Sequence, residues 1–453
     1  MRRWMATAVL LSSCVGRPAP PVERVAGSWR AAADSVAHWL GEQARPSGPG
    51  VGWPVDALEP GEAGVGLGSG DAGPVAFLLA HAALTGDSAS AALARRGALA
   101  LLARIPDQVR ADRQPPETSL YYGWPSVARV LERAHATLGD ARFADAARRI
   151  VALVAAAARA TSDSTAEWSA AYDDLLFGNA GTMLFMAWAA ERFDDSTARG
   201  LAHRAALGLA ARMEETPAGS GWRFRRDRPF VLPNFTHGAA GTAYALLAVG
   251  RLVDDPRLDG AAVRAARSLI AAADTVGGGF WLPYGWPNQE WEGRLDHGWA
   301  HGPAGSARLF LALAREDPAG GWSDWAARAA AGLAGHPAFL PAGDGDSLPN
   351  DLRFGRAGVA WFLEDFADAL ALEPPRRSAE SLARALLERG RRDETGLWWE
   401  TPRPAFLERP GEPAVFTGLF QGASGFGLLL LRVGADPRAW REAGFGWLLD
   451  PAR

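Results

Sequence analysis

A pair of glycines separated by two residues, set in a Gly/Ala-rich stretch ahead of an apolar run, returns down almost the whole chain. The copies are Gly70-Asp71-Ala72-Gly73, Gly178-Asn179-Ala180-Gly181, Gly238-Ala239-Ala240-Gly241, Gly302-Pro303-Ala304-Gly305, Gly355-Arg356-Ala357-Gly358 and Gly422-Ala423-Ser424-Gly425. A degenerate copy, Gly123-Trp124-Pro125-Ser126, fills the one large gap, and successive copies start 53, 55, 60, 64, 53 and 67 residues apart. That length is two helices plus a connection. A unit of that kind cannot bury its own apolar face, so the copies must stack on one another. The repeat therefore overrides the two or three domains that 453 residues would otherwise suggest.

Each motif opens a stretch that is apolar on nearly every face: Gly181–Ala190 reads GTMLFMAWAA, Gly241–Gly250 reads GTAYALLAVG, and Gly305–Leu313 and Gly425–Leu431 are similar. Such helices belong inside. Ahead of the motifs lie amphipathic helices at Val25–Ala44, Ala89–Ile105, Ala141–Ala160, Ala198–Glu215, Leu258–Ala273, Trp322–Gly335 and Ser378–Arg392, with arginines along the polar face. Seven half-exposed helices alternating with seven buried ones predict an all-α fold, an (α/α)7 toroid of two concentric rings spanning residues 24–453. The glycines are expected where the chain turns and packs closely near a crowded axis. The side chains around them should ring one mouth of a central hole, where inner-helix N-termini favour negative charge.

The charge balance excludes one class of partner. Net charge is -4 with acids and bases interspersed and no basic run, so a nucleic-acid partner is not expected. The N-terminus reads as a targeting segment. Arg2 and Arg3 precede a short apolar run, and Leu11-Ser12-Ser13-Cys14 has the form of a bacterial lipobox. The expectation is a signal peptide over residues 1–13, lipidation of Cys14, a tether over 14–23, and a mature protein held on the extracytoplasmic side of a membrane in the cell envelope. Cys14 is the only cysteine, which favours an anchor over a catalytic thiol. Tryptophan-bearing Gly/Pro-rich loops, around Trp53, Trp222, Trp281 and Trp398-Trp399, precede several motifs; most of these rings are expected to plug the loop face.

Two segments, Asn234-Phe235-Thr236-His237-Gly238-Ala239-Ala240-Gly241 and Gly298-Trp299-Ala300-His301-Gly302-Pro303-Ala304-Gly305, resemble the lanthionine synthetase C-like family, as does the rhythm of seven glycine motifs. The resemblance implies a double α-toroid with a central active site. Cyclases of the family add a cysteine thiol to a dehydrated serine or threonine in a peptide. Zinc holds the thiol as thiolate, the competent nucleophile, while a histidine and an aspartate handle protons. Residue by residue, His237 matches that histidine, and Asp174, four residues before Gly178, matches that aspartate. The zinc ligands do not carry over. Ala300 follows Trp299 where the family has cysteine, Arg353-Phe354-Gly355 stands where it has Cys-His-Gly, and Asp296 stands near its basic residue. No metal cofactor is therefore expected at that site.

The sequence keeps other chemistries open. His237, His297 and His301 could form a three-histidine metal site if the last two share a helical face. Glu290, Glu292 and Asp296, behind the aromatic loop Pro283-Tyr284-Gly285-Trp286-Pro287, could act as the acid and base of a glycoside-cleaving α/α toroid. A non-catalytic binding scaffold is the third possibility. In the leading reading the protein binds or modifies a peptide or small ligand in the central cavity. His237, Asp174 and His301 are its candidate proton-transfer groups, and Trp299, Asp296, Tyr284 and Arg353 its expected ligand contacts.

Overall fold

The computed structural model describes residues 26–59, 61, 64–113, 115–216, 219–286, 295–339 and 348–452. Cys14 with its leader and tether, Pro287, Glu290 and Glu292 lie outside the described residues. None of the described helices is long and apolar enough to cross a membrane.

Seven inner helices carry the apolar runs: α2 (Ala72–Thr85), α4 (Trp124–Leu138), α6 (Asn179–Phe193), α8 (Ala239–Val253), α10 (Pro303–Glu316), α12 (Arg356–Leu370) and α14 (Ala423–Gly434). Between them run the outer helices α1 (Ala26–Gln43), α3 (Ser88–Ala103), α5 (Ala141–Ala156), α7 (Ser196–Ala211), α9 (Pro256–Ala272), α11 (Trp322–Gly335) and α13 (Glu373–Glu388). The (α/α)7 toroid is thus present, with one refinement. Each inner helix pairs with the outer helix that follows it, and α1 pairs with α14, so the N-terminal helix completes the last hairpin and closes the ring. Backbone bonds reinforce the closure, from Ala57 N–H to Val415 O at 2.8 Å and from Leu419 N–H to Leu67 O at 3.1 Å.

Two-residue turns set the pairing. Gly86, Gly139, Asp194 and Asp254 end their inner helices in the left-handed region, at φ 75°, 70°, 52° and 55°. The next residue is aspartate each time, and Asp87, Asp140, Asp195 and Asp255 accept backbone N–H bonds at the start of the outer helix. Four outer helices, α1, α5, α7 and α13, end earlier than the periodicity predicts, because the chain turns into β-hairpins. These are β1 (Arg45–Ser47) with β2 (Gly50–Gly52), β3 (Arg159–Ala160) with β4 (Ala166–Glu167), β5 (Glu214–Thr216) with β6 (Gly219–Gly221), and β7 (Arg391–Asp393) with β8 (Gly396–Trp398). A further pair, β9 (Thr401–Pro402) with β10 (Pro413–Ala414), carries the loop before α14.

A tryptophan follows each of the first four hairpins and repeats one contact. The indole N–H groups of Trp53, Trp168, Trp222 and Trp399 donate to the carbonyls of Leu40, Val154, Leu209 and Leu386 at 2.7, 2.7, 2.8 and 2.8 Å. Those carbonyls lie in the last turns of outer helices, which lack intrahelical partners. All four rings are buried, so they are structural plugs, as expected for most of the tryptophans.

The motif glycines are needed for close approach rather than for unusual dihedrals. The first glycines of the copies from Gly123 onward lie at φ between -102° and -136°, which any residue adopts. A Cβ on the second glycine would instead strike the carbonyl oxygen six residues back: 2.0 Å at Gly181, 1.8 Å at Gly241, 1.9 Å at Gly305, 2.2 Å at Gly358 and 2.0 Å at Gly425. In the degenerate copy Ser126 takes that place, and its hydroxyl bridges Gly123 O and Leu67 N–H.

The axis is not hollow. Phe235, Trp299, Tyr121 and Phe420 meet edge to face or tilted, with centroids 5.2 to 5.7 Å apart, and are buried. From the opposite end the C-terminal segment, after the short α15 (Pro437–Ala443), enters the ring. Leu449 O accepts the Trp299 indole N–H at 2.9 Å, Pro451 O accepts from Arg129 at 2.7 Å, and Asp450 is bonded to the Tyr244 hydroxyl. The expected central cavity is therefore sealed from below.

Gly241→Ala should cost at least about 3 kcal/mol, because its methyl cannot be placed without moving backbone. Gly200→Ala, where an exposed α7 position has nothing within 4 Å, should instead stabilise by about 0.5–1 kcal/mol. Urea denaturation of both variants checks this pair of opposite signs.

Candidate functional site

Aligned on the first glycine, the seven loops share one register. The residue three before it (Leu67, Leu120, Leu175, Phe235, Trp299, Leu352, Leu419) is buried in the axis. The residue two before it carries backbone bonds around the axis: Gly68 N–H to Tyr121 O, Leu176 to Thr236, Thr236 to Ala300, Ala300 to Arg353 and Phe420 to Gly68, at 2.7 to 3.1 Å, with Leu352 N–H to Phe420 O at 2.9 Å completing that side. The chain turns here, with Gly70 N–H bonded to Gly66 O, Gly302 N–H to Gly298 O and Gly355 N–H to Asp351 O, and the residue one before the glycine contributes to a second circle. Rings at that position follow one another in a circle. Centroids are 5.7 Å apart for Tyr122 and Phe177, 5.4 Å for Phe177 and His237, 5.6 Å for His237 and His301, and 5.3 Å for His301 and Phe354. Ser69 and Gln421 occupy the same position in the remaining two loops.

The residue four before the glycine is an Asx in three loops and holds the turn. Asp174, Asn234 and Asp351 each accept the backbone N–H three residues on, at 2.9, 2.9 and 2.7 Å. Asp174 is thus a turn cap, while the N-cap of α6 is Gly178. Its other oxygen does something its equivalents do not: Oδ2 lies 2.5 Å from His237 Nδ1. On the far side of the ring, Arg353 Nη2 approaches His237 Nε2 at 3.5 Å, and Nη1 donates to the Tyr122 hydroxyl at 2.9 Å. Guanidinium nitrogens donate and do not accept. Nε2 must therefore present its lone pair, which leaves the ring proton on Nδ1, donated to Asp174.

Burial sets the charge states. It pushes the Asp174 carboxyl well up, against the pull of the Phe177 and Gly178 N–H groups and the Arg353 cation. It pushes His237 well down, and Arg353 adds to that. His301 is driven to about 4 by burial, with His237 and Arg353 adding to it and Asp296 opposing it. His237 is a neutral imidazole with a directed lone pair at the mouth, a base whose orientation is fixed by a carboxyl partner. Phe224, on the loop after β6, closes one side of it edge-on at 4.8 Å.

The expected site residues separate into two groups. His237, Asp174, His301 and Arg353 come together at the mouth, joined by Tyr284, edge-on to His301 at 5.2 Å, and by Asp296, 3.4 Å from His301 Nδ1. Trp299, an expected ligand contact, instead points into the axial plug and is fully buried. His297 turns away as well, its ring 5.6 Å from Trp281 and 4.5 Å from His336, so the three histidines do not converge. Their stretch is a turn ahead of α10, not a helix. Arg226, on the loop after β6, is bound to Asp173 and Glu167, so it is structural. Tyr122, Phe177 and Phe224 were missed because aromatic rings next to glycine read as core. Laying the seven loops on one register would have placed the first two. A cavity of about 620 Å³ opens at the opposite end, beside Trp440 and Trp447; it contains no histidine, and its acid, Asp368, is paired with Arg376 and Arg432.

The donors for zinc are wanting. The positions that the resemblance assigns to ligands hold a methyl (Ala300), a guanidinium (Arg353) and a phenyl ring (Phe354). None offers a lone pair, and a fixed cation repels a metal. Among the described residues no three His, Cys, Asp or Glu side chains converge on a metal-sized point. The residues present do not fit zinc.

Fold and mouth together define a seven-hairpin α/α toroid with its candidate site in the loops preceding the inner helices. The sequence profile described as "Lanthionine synthetase C-like protein" matches residues 61–319, and the chain belongs to that family. Among solved structures it is similar to nisin cyclase, with TM-score 0.59, 14% identity, and 94% of this chain and 99% of that one covered. It is also similar to an α-mannanase from Bacteroides thetaiotaomicron (TM-score 0.48, 10% identity, 94% and 97% covered) and to an α-1,6-mannanase from Salegentibacter sp. (TM-score 0.46, 12% identity, 90% and 98% covered). No curated protein sequence matches the chain.

The depressed histidines make stability depend on pH. In the unfolded chain a histidine takes up its proton near pH 6.5; in the folded protein His301 does so at about 4. The unfolded state binds more protons between those values, so stability present above pH 6.5 is lost as pH falls toward 4. His301→Gln should remove on the order of 2 kcal/mol of that fall between pH 7 and 4.5. Urea denaturation at the two pH values checks it, and an unchanged slope would contradict the assignment.

Proposed function

We propose that this protein is a zinc-independent member of its family that binds a peptide or small ligand in the bowl at the loop end of the toroid and moves a proton at that ligand through His237. One observation carries the reading: the Asp174–His237 contact of 2.5 Å, with Nε2 turned away from the aspartate toward Arg353 at the mouth. Asp174 fixes the tautomer and orientation, while Nε2 meets the fold only through the long 3.5 Å approach of Arg353, a contact that a ligand bringing a proton can displace.

The family's chemistry, transferred to these residues, is the addition of a thiol to a dehydroamino acid. The thiol proton passes to His237 Nε2, the sulfur bonds to the β-carbon of the alkene, and the electron pair moves to the α-carbon, which takes a proton back. Nothing is oxidised or reduced. Arg353 stands beside Nε2 and supplies the positive charge that stabilises an anion during the step. Asp174 holds the imidazole and does not touch the ligand. Membrane attachment through a lipid on Cys14 would place this activity on the extracytoplasmic side of the envelope, with a peptide or small molecule as the partner.

The test is thioether formation by the purified protein on a peptide carrying both dehydroalanine and cysteine, followed as loss of alkylatable thiol by mass spectrometry. Turnover should survive exhaustive dialysis against EDTA. His237→Gln should lower the rate by about 10²–10⁴-fold, and Asp174→Asn should lower it through a misplaced tautomer. Activity that needs added zinc, or that is indifferent to His237→Gln, would refute the proposal.

A further inference from the structure

Arg353 is 4% exposed, yet among the described residues no carboxylate pairs with it. Its guanidinium touches the Tyr122 hydroxyl and the far side of His237, and its Nε has no partner. Buried guanidinium groups ordinarily lie against an acid, because a buried charge without one is costly. Two neighbouring acids hold their own turns instead. Asp351 Oδ1 accepts the backbone N–H groups of Arg353 and Phe354, at 2.8 and 2.7 Å. Asp174 holds Phe177 N–H and His237. What surrounds the cation instead is aromatic: Phe354, Phe406, Phe420 and Tyr122, with ring centroids 4.8, 5.1, 5.6 and 6.0 Å from its central carbon. Ring faces compensate a guanidinium only in part.

One of these rings is out of place for a core. Phe406 is 58% exposed, lies on the loop between β9 and β10, and leans on Phe354 at 6.2 Å as well as on Arg353. A large apolar side chain left in water and resting directly on a buried cation occupies the place a ligand would take, and can swing aside to admit it and close over it.

We propose that Arg353 anchors the carboxylate of an apolar-bodied ligand and that Phe406 folds over that ligand as a flap. The inference rests on reading the loop-end bowl as the ligand site and names the ligand's chemistry. The planar fork of a guanidinium matches a carboxylate in shape and charge. A single cation flanked by neutral imidazoles balances one negative charge, which argues against a dianion such as phosphate. The aromatic collar favours a hydrocarbon or aryl body beside the charged group. Two sources carry this chemistry, the C-terminus of a peptide ending in an apolar residue and a free carboxylic acid.

The experiment is calorimetric titration of the purified protein with 3-phenylpropionate, with Gly-Gly-Phe and with Gly-Gly-Phe amide. A free acid should bind, with the amide at least about tenfold weaker. Tighter binding of the tripeptide identifies a peptide terminus, and tighter binding of 3-phenylpropionate a small acid. Arg353→Gln should weaken the acid at least about tenfold and abolish discrimination against the amide. Phe406→Ala changes an exposed side chain, so it keeps the test open should Arg353→Gln fail to fold; it should speed acid dissociation severalfold. Equal binding of acid and amide, no binding of either acid at millimolar concentration, or acid dissociation unaltered by Phe406→Ala overturns the proposal. The titration involves no proton transfer, so its failure is separable from that of the His237 rate measurement.

Discussion

The structure depends on the contact between the second motif glycine and the carbonyl six residues before it. In six of the seven copies that approach leaves no room for a Cβ, and backbone bonds run from loop to loop around most of the axis. Backbone bonds of this kind fix position tightly, because a shift at one loop breaks its bonds to its neighbours. The inner helices then radiate from a rigid hub. The side chains flanking the hub bonds are sorted by the repeated turn, one set into the axis and one set to the mouth.

Within that repeated frame the chemistry lies in the departures. Five of the seven mouth positions hold a ring, but only His237 and His301 carry a basic nitrogen. Three of the turn-capping positions hold an Asx, but only Asp174 lends its second oxygen to a neighbouring loop. Hub residues are mostly apolar or small, and only Arg353 carries charge. These three departures meet in one sector of the mouth, and the low polarity of the hub keeps the imidazoles neutral beside a fixed cation. A tail that fills the axis from below, with Asp450 bound to Tyr244 and Pro451 to Arg129, closes the axis between the loop end and the opposite end.

Membership of the lanthionine synthetase C-like family sharpens what has changed. A divalent metal held by thiolates and imidazole would acidify a bound thiol strongly. A guanidinium carries one delocalised charge, cannot accept a lone pair into a coordination bond, and cannot be exchanged or removed. Its influence is purely electrostatic and depends on exclusion of water, which the aromatic collar around Arg353 supplies. The proposed reading, a base oriented by Asp174 and an anion held by Arg353, asks each residue only for what its chemistry permits.

The sequence by itself determined the architecture: glycine spacing and the alternation of wholly apolar with amphipathic stretches are local patterns, and they specified seven helical hairpins and the mouth at which His237, His301 and Asp174 meet. It also supplied the residue types at Ala300, Arg353 and Phe354, none of which offers a metal a lone pair, since a donor atom is present in a residue type or absent from it. What only the tertiary structure decided is which way side chains point once the ring closes. Trp299 turns into the plug and His297 toward His336, while Asp174 pairs across 63 residues with His237 and Arg353 reaches it across 116. The filled axis was equally hidden, because the tail that seals it is brought there by closure of α1 on α14, a contact between the two ends of the chain. Such pairings have no period and no local signature; they arise from the geometry of the closed ring.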